Sequence, residues 1–127
     1  MNAQPKIRIT KIFTFDSAHQ LPNNEIYGKC RFLHGHTYKL EITVEGHINE
    51  FGWVIDFKEL KRIVNENIIE PLDHHFLNDF VNVSTAENLC LWIWNRLFDK
   101  FPEGVNLVSI KLFETPTSYA EFSGNFQ

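Results

Sequence analysis

The sequence predicts an α+β domain built on an antiparallel sheet, and three features carry that expectation. Two early apolar runs alternate with polar residues at the period of a strand, the middle of the chain changes to helical spacing, and consecutive strands are joined by short connections. The resulting order is strand, strand, helix, helix, strand, strand. In the first strand Ile7, Ile9, Phe13 and Phe15 alternate with mostly polar neighbours; the run continues through Ser17 and His19 and breaks at Leu21-Pro22-Asn23-Asn24. The second reads from His34 to Gly46, with Tyr38, Leu40, Ile42 and Val44 on one face and Lys39, Glu41, Thr43 and Glu45 on the other, as in a sheet covered on one side. After a turn near Asn49 to Gly52, Phe57, Leu60, Ile63, Val64 and Ile68 follow helical spacing, and Pro71 is expected to stop that helix. Leu72-Asp73-His74-His75 reads as a loop. Ser84-Thr85-Ala86-Glu87 fits a capping box with Ser84 as N-cap and Glu87 at N3. Leu89, Trp92, Ile93, Leu97 and Phe101 then form the inner stripe of the second helix, ended by Pro102 and Gly104. Two closing strands, Val105 to Glu114 and Ser118 to Phe126, flank a turn at Thr115-Pro116-Thr117.

Composition narrows the class of function. The chain has 127 residues, one domain's worth, with 12 Lys and Arg against 16 Asp and Glu, a formal net charge of −4. That balance argues against a general nucleic-acid binder, which carries a basic footprint. Apolar residues make up 43% and charged residues 22%, a globular mixture. Two cysteines are too few for a disulfide framework, and neither a signal-like apolar run nor a membrane-spanning one is present, so a reduced, soluble, cytoplasmic protein is expected, without membrane or nucleic-acid partners. So short a chain buries only about two-thirds of its unfolded surface. A deep pocket is hard to carve from one copy, and an oligomer is expected.

Six histidines are the count that stands out. In a strand, positions i and i+2 share a face, so His34 and His36, with only Gly35 between them, can meet one metal. His19 closes the preceding strand, where antiparallel pairing would bring it beside them. Three imidazoles with a vacant fourth position make a catalytic zinc site rather than a structural one; the plain alternative is three histidines beside a turn. Cys30, flanked by Lys29 and Arg31, is a candidate nucleophile or general base, and equally a fourth zinc ligand or an idle thiol. Cys90, inside the second helix, reads as packing. Asp73 and His74 are a candidate acid/base pair, although sequence neighbours rarely bond each other well; His75 fits the spacing as readily as His74. Glu114, at a strand end, can accept paired N–H donors from a heterocycle, or be ordinary surface polarity.

Five segments taken in order carry a family resemblance: Phe15-Asp16-Ser17-Ala18-His19, Cys30-Arg31-Phe32-Leu33-His34-Gly35-His36, Val54-Ile55-Asp56-Phe57, Leu72-Asp73-His74-His75-Phe76-Leu77-Asn78 and Glu114-Thr115-Pro116-Thr117-Ser118. Together they resemble the 6-pyruvoyltetrahydropterin and 6-carboxytetrahydropterin synthase family across nearly the whole chain. The three residues between Cys30 and His34 resemble the bacterial 6-carboxytetrahydropterin synthases of the queuosine route; the animal pyruvoyl-forming enzymes have a longer gap. Ser84 stands where the family often has proline. The resemblance implies a single tunnelling-fold domain over residues 1–127: a four-stranded antiparallel sheet with two helices on one face, the sheets of three copies closing into a barrel and two trimers stacking into a hexamer, with active sites between subunits. It also implies Zn2+ bound by His19, His34 and His36, Cys30, Asp73 and His74 as the proton-transferring groups, and Glu114 as the pterin anchor.

The leading expectation is therefore a zinc-dependent lyase that converts 7,8-dihydroneopterin triphosphate to 6-carboxytetrahydropterin, acetaldehyde and triphosphate. A second reading, elimination of triphosphate with internal redox, gives 6-pyruvoyltetrahydropterin without carbon–carbon cleavage. A cupin-like metal enzyme is a third, for which a later histidine motif is missing. A non-enzymatic module in which the histidines and Cys30 hold a structural zinc is the fourth, and predicts unfolding on chelation.

Overall fold

The computed structural model describes residues 4–125. Its sheet has the strand order β1-β2-β3-β4, every neighbour antiparallel, with β1 at Lys6–His19, β2 at His34–His47, β3 at Asn106–Thr115 and β4 at Ser118–Phe122. The four expected strands are present. The last is shorter than the sequence reading, whose endpoint, Phe126, lies outside the described residues. The alternation sorts as anticipated: Phe13, Phe15, Ser17 and His19 of β1, Tyr38, Leu40, Ile42 and Val44 of β2, and Leu107, Ile110 and Leu112 of β3 are buried. All project to the side covered by the helices. Asp16, Thr37, Lys39 and their neighbours face the other way.

Helix α1 (Phe57–Val64) buries Leu60, Ile63 and Val64. It continues through a π turn at Asn65–Ile69 into one last turn, α2 (Glu70–Leu72). Pro71 therefore does not stop the helix where expected. A proline has no N–H to give the carbonyl four residues back, which here belongs to Asn67. The chain widens to i→i+5 bonding, seen where the Glu70 N–H reaches the Asn65 carbonyl, and Arg96 Nε donates to the freed Asn67 carbonyl at 2.6 Å. Arg96 lies in the next helix, α3 (Ala86–Leu97), so the same bond ties the two helical segments together. Phe57, placed on the inner face by periodicity, is half exposed.

The capping box is also displaced. Thr85, not Ser84, is the N-cap of α3, its side chain accepting from the Asn88 N–H at 3.2 Å. Leu89, Cys90, Ile93, Trp94 and Leu97 form the buried stripe, with Trp92 and Phe101 partly covered.

Between β1 and β2 lies a 3-10 segment, Glu25–Arg31. Asn24 opens it by accepting from the Ile26 N–H, and the Leu21 N–H closes it onto the Cys30 carbonyl at 2.7 Å. No helix among the described residues is long and apolar enough to cross a membrane.

Candidate functional site

The β1–β2 ladder places His19 opposite His34 and Ser17 opposite His36. With the two-residue period of a strand, all three imidazoles emerge on the helix-covered face. Their rings lie 4.5 to 5.2 Å apart centre to centre. The three Nε2 atoms are buried and have no hydrogen-bond partner, and one ligand nitrogen from each ring lies within 4.8 Å of the other two. Three buried nitrogens left without partners in one small space are costly unless something binds them. The ring geometry points to the same conclusion. His19 Nδ1 lies 2.9 Å from the Ser84 carbonyl and His34 Nδ1 lies 2.8 Å from the Phe32 carbonyl. A carbonyl only accepts, so in both rings Nδ1 carries the proton and Nε2 presents a bare lone pair. Burial pushes the pKa of His19 and of His36 below the ordinary histidine value, against weaker opposing effects from the Ser84 carbonyl and Glu114. This donor set fits a divalent metal with an open fourth position.

Glu114 flanks the cluster, with Oε1 3.6 Å from His36 Nε2. Its direction comes from a bulge. Phe113 pairs with Tyr119 and Thr115 with Ser118, which leaves Glu114 as the extra residue, and bulges re-aim side chains in this way. Glu114 also lines a cleft of about 430 Å³ with Glu87, Ser118 and Tyr119. Glu87, which the sequence offers only as part of a cap, lies on that cleft. Tyr38, beneath His36, is fully buried, its hydroxyl has no partner, and burial followed by the Glu114 carboxylate raises its pKa.

Asp73 and His74 sit elsewhere, on the outer edge of β1. The His74 N–H donates to the Asp16 carbonyl at 2.6 Å and the Ala18 N–H to the His75 carbonyl at 3.2 Å. Asp73 Oδ1 accepts from the Asp16 N–H, and Oδ2 lies 3.0 Å from His74 Nδ1. Sequence neighbours thus do pair here, because His74 adopts a left-handed backbone, φ 57°, a conformation rare outside glycine. The bond from Asp16, then the one to His74, holds the Asp73 carboxyl below its usual pKa. His75 is separated from this role: its Nδ1 bonds the Asp73 carbonyl instead. His74 opens onto a cleft of about 540 Å³ with Asp16, Gly35, His36 and Thr37, which Cys30 and Glu114 do not line. Gly35 lines this cleft and another of about 480 Å³ beside Glu114. An added Cβ there would meet only the Ser17 carbonyl, at 3.6 Å, so the glycine keeps the clefts open rather than relieving a clash.

Cys30 is half-buried on the 3-10 segment and outside the three-histidine group. Cys90 is buried, its thiol pushed up to about 11 by burial, and Sγ faces the Ala120 carbonyl at 3.5 Å, as expected of a packing residue.

A four-stranded antiparallel sheet with helices on one face and an open three-histidine cluster between its first two strands defines a tunnelling-fold protein with a candidate metal centre. The chain belongs to the 6-pyruvoyl tetrahydropterin synthase family, whose model matches residues 8–125. It is 38% identical to the 6-carboxy-5,6,7,8-tetrahydropterin synthase of Haemophilus influenzae, over 91% of this chain and 97% of that one. It is 39% identical to the dihydroneopterin monophosphate aldolase of Pyrococcus furiosus, over 86% and 90%. The 6-pyruvoyl tetrahydropterin synthase structure of Caenorhabditis elegans superposes with a TM-score of 0.88 at 26% identity, covering 98% of this chain and all of that one.

Proposed function

We propose that the chain, acting as one tunnelling-fold domain, is a 6-carboxy-5,6,7,8-tetrahydropterin synthase that converts 7,8-dihydroneopterin triphosphate and water to 6-carboxytetrahydropterin, acetaldehyde and triphosphate. The observation that carries this reading is the convergence of three bare, buried imidazole nitrogens beside Glu114 in a pterin-synthase family member. A divalent ion, zinc on this reading, held by His19, His34 and His36 would supply Lewis-acid stabilisation of enolate character. Glu114 anchors the pterin in its cleft by accepting paired N–H donors, which fixes orientation rather than doing chemistry. Cys30 and His74 move protons on opposite parts of the substrate as general base and acid, with Asp73 holding His74 in the Nδ1–H tautomer. On this reading a second copy supplies Asp73 and His74, which is supported by a cleft beside His74 that Cys30 and Glu114 do not line. That fits sheets closing into a trimeric barrel and two trimers forming a hexamer.

Relatives of nearly equal identity carry different reaction names, so identity does not choose the reaction. The three-residue spacing between Cys30 and His34 favours the carboxy-forming reading over the pyruvoyl-forming one. The roles separate in variants: Cys30→Ala is expected to keep its metal and lose turnover, on the order of 100-fold or more, whereas His34→Ala loses both. Full turnover by Cys30→Ala would show that the base is misassigned.

A further inference from the structure

Asn78 has no role in the chemistry above, yet its side-chain amide uses all of its hydrogen-bonding capacity. Oδ1 accepts from the Gln20 N–H at 3.0 Å and from Ser84 Oγ at 3.3 Å; Nδ2 donates to the Gln20 carbonyl at 2.7 Å and to the Asn82 carbonyl at 3.1 Å. Two donors and two lone pairs are the full complement of an amide. The two carbonyls require donors and so fix which end of the amide is nitrogen.

Two consequences reach the metal cluster. Gln20 follows His19 directly, so the paired bonds to its N–H and C=O pin the strand end from which His19 projects. The second runs through Ser84, which is fully buried. Asn78 Oδ1 can only accept, so the Ser84 hydroxyl proton points at it, and the Ser84 oxygen lone pair is left for His19 Nδ1 at 3.1 Å. With the Ser84 carbonyl at 2.9 Å, both neighbours of Nδ1 are acceptors. The Nδ2 bond to Asn82, with the Asn88 side chain on the Val83 carbonyl at 2.9 Å, braces the loop that carries Ser84.

We propose that Asn78 is a positioning residue for the metal centre: it joins the end of β1 to the 82–85 loop and thereby holds His19 in place with Nε2 bare. This rests on the reading of His19, His34 and His36 as a metal site. Outer-sphere partners of metal-bound histidines are typically worth about 10–100-fold in affinity.

The test measures zinc affinity of the full-length chain by chelator competition, for wild type, Asn78→Asp and Ile63→Val. Asn78→Asp keeps the shape but removes both donors and sets carboxylate oxygen against two carbonyls. Ile63→Val trims a buried side chain of α1 that takes no part in these hydrogen bonds, and controls for general destabilisation. The expected result is zinc affinity weakened by about 10–100-fold in Asn78→Asp and unchanged in Ile63→Val. Affinity within twofold of wild type in Asn78→Asp overturns the proposal, as does an equal loss in Ile63→Val. A wild-type chain that takes up no divalent metal overturns the metal-site reading and this proposal with it. Nitrogen-15 NMR of the metal-free wild type needs no variant: a slowly exchanging proton on His19 Nδ1 is expected, and the Nε2–H tautomer overturns the proposal even if Asn78→Asp fails to fold.

Discussion

At the scale of single residues, the cluster is built by leaving polar atoms unpaired. Burial favours the neutral form of His19, His36 and Tyr38. Because the pKa of His19 and of His36 is lower in the folded chain than the ordinary 6.5, the unfolded chain binds more protons just below that value. The stability they confer is thus present above about pH 6.5 and lost as pH falls through the lowered folded values. The denaturation midpoint of the metal-free chain should drop between pH 7.5 and pH 5.5; a midpoint that rose on acidification would contradict the burial. Tyr38→Phe deletes a buried hydroxyl that has no partner. Removing an unsatisfied group costs little, so the melting temperature of the metal-free variant should hold or rise. A loss of more than about 1 kcal/mol would mean the hydroxyl is satisfied.

At the scale of elements, the strands were legible in the sequence because each obeys the two-residue period, and with them the shared face of His34 and His36. The helices were legible as amphipathic runs but not at their ends. Pro71 reads as a stop because proline costs a helix a hydrogen bond; the π turn and Arg96, 29 positions from the Asn67 carbonyl it meets, remove that cost. Arg96→Ala should therefore destabilise the chain by about 1 kcal/mol in urea denaturation, and a neutral result would remove Arg96 from this role. Ser84 looked like a cap because serine before a Glu three residues on usually is one, whereas here its carbonyl and hydroxyl serve His19 and Thr85 takes the cap. The bulge that turns Glu114 depends on the β3–β4 pairing and has no residue signature of its own. Gly46 is a further case: an added Cβ would lie 2.8 Å from the Gly104 carbonyl oxygen and 3.0 Å from Val54. Gly46→Ala should cost about 1–3 kcal/mol by overpacking, against little for Gly35→Ala, both read from denaturant midpoints.

At the scale of the whole molecule, the net charge of −4 is compatible with a polyanionic small substrate, since Lys29 and Arg31, on the 3-10 segment that precedes β2, can add local positive charge. Shortness is answered by the division of the candidate residues. One part of the chain carries the three histidines and Glu114, and the edge of β1 carries Asp73 and His74. If copies complete each other, inactive Cys30→Ala and His74→Ala chains refolded together should regain part of the wild-type activity, because some sites then receive both intact groups; no recovery would place both groups in one copy's site. The central claim is the carbon–carbon cleavage itself. It is tested most directly by incubating the zinc-loaded protein with 7,8-dihydroneopterin triphosphate and quantifying acetaldehyde against pterin consumed. The account predicts equal amounts of the two, abolished by a chelator and restored by zinc; pterin consumed without acetaldehyde, or no consumption by the metal-loaded protein, would contradict it.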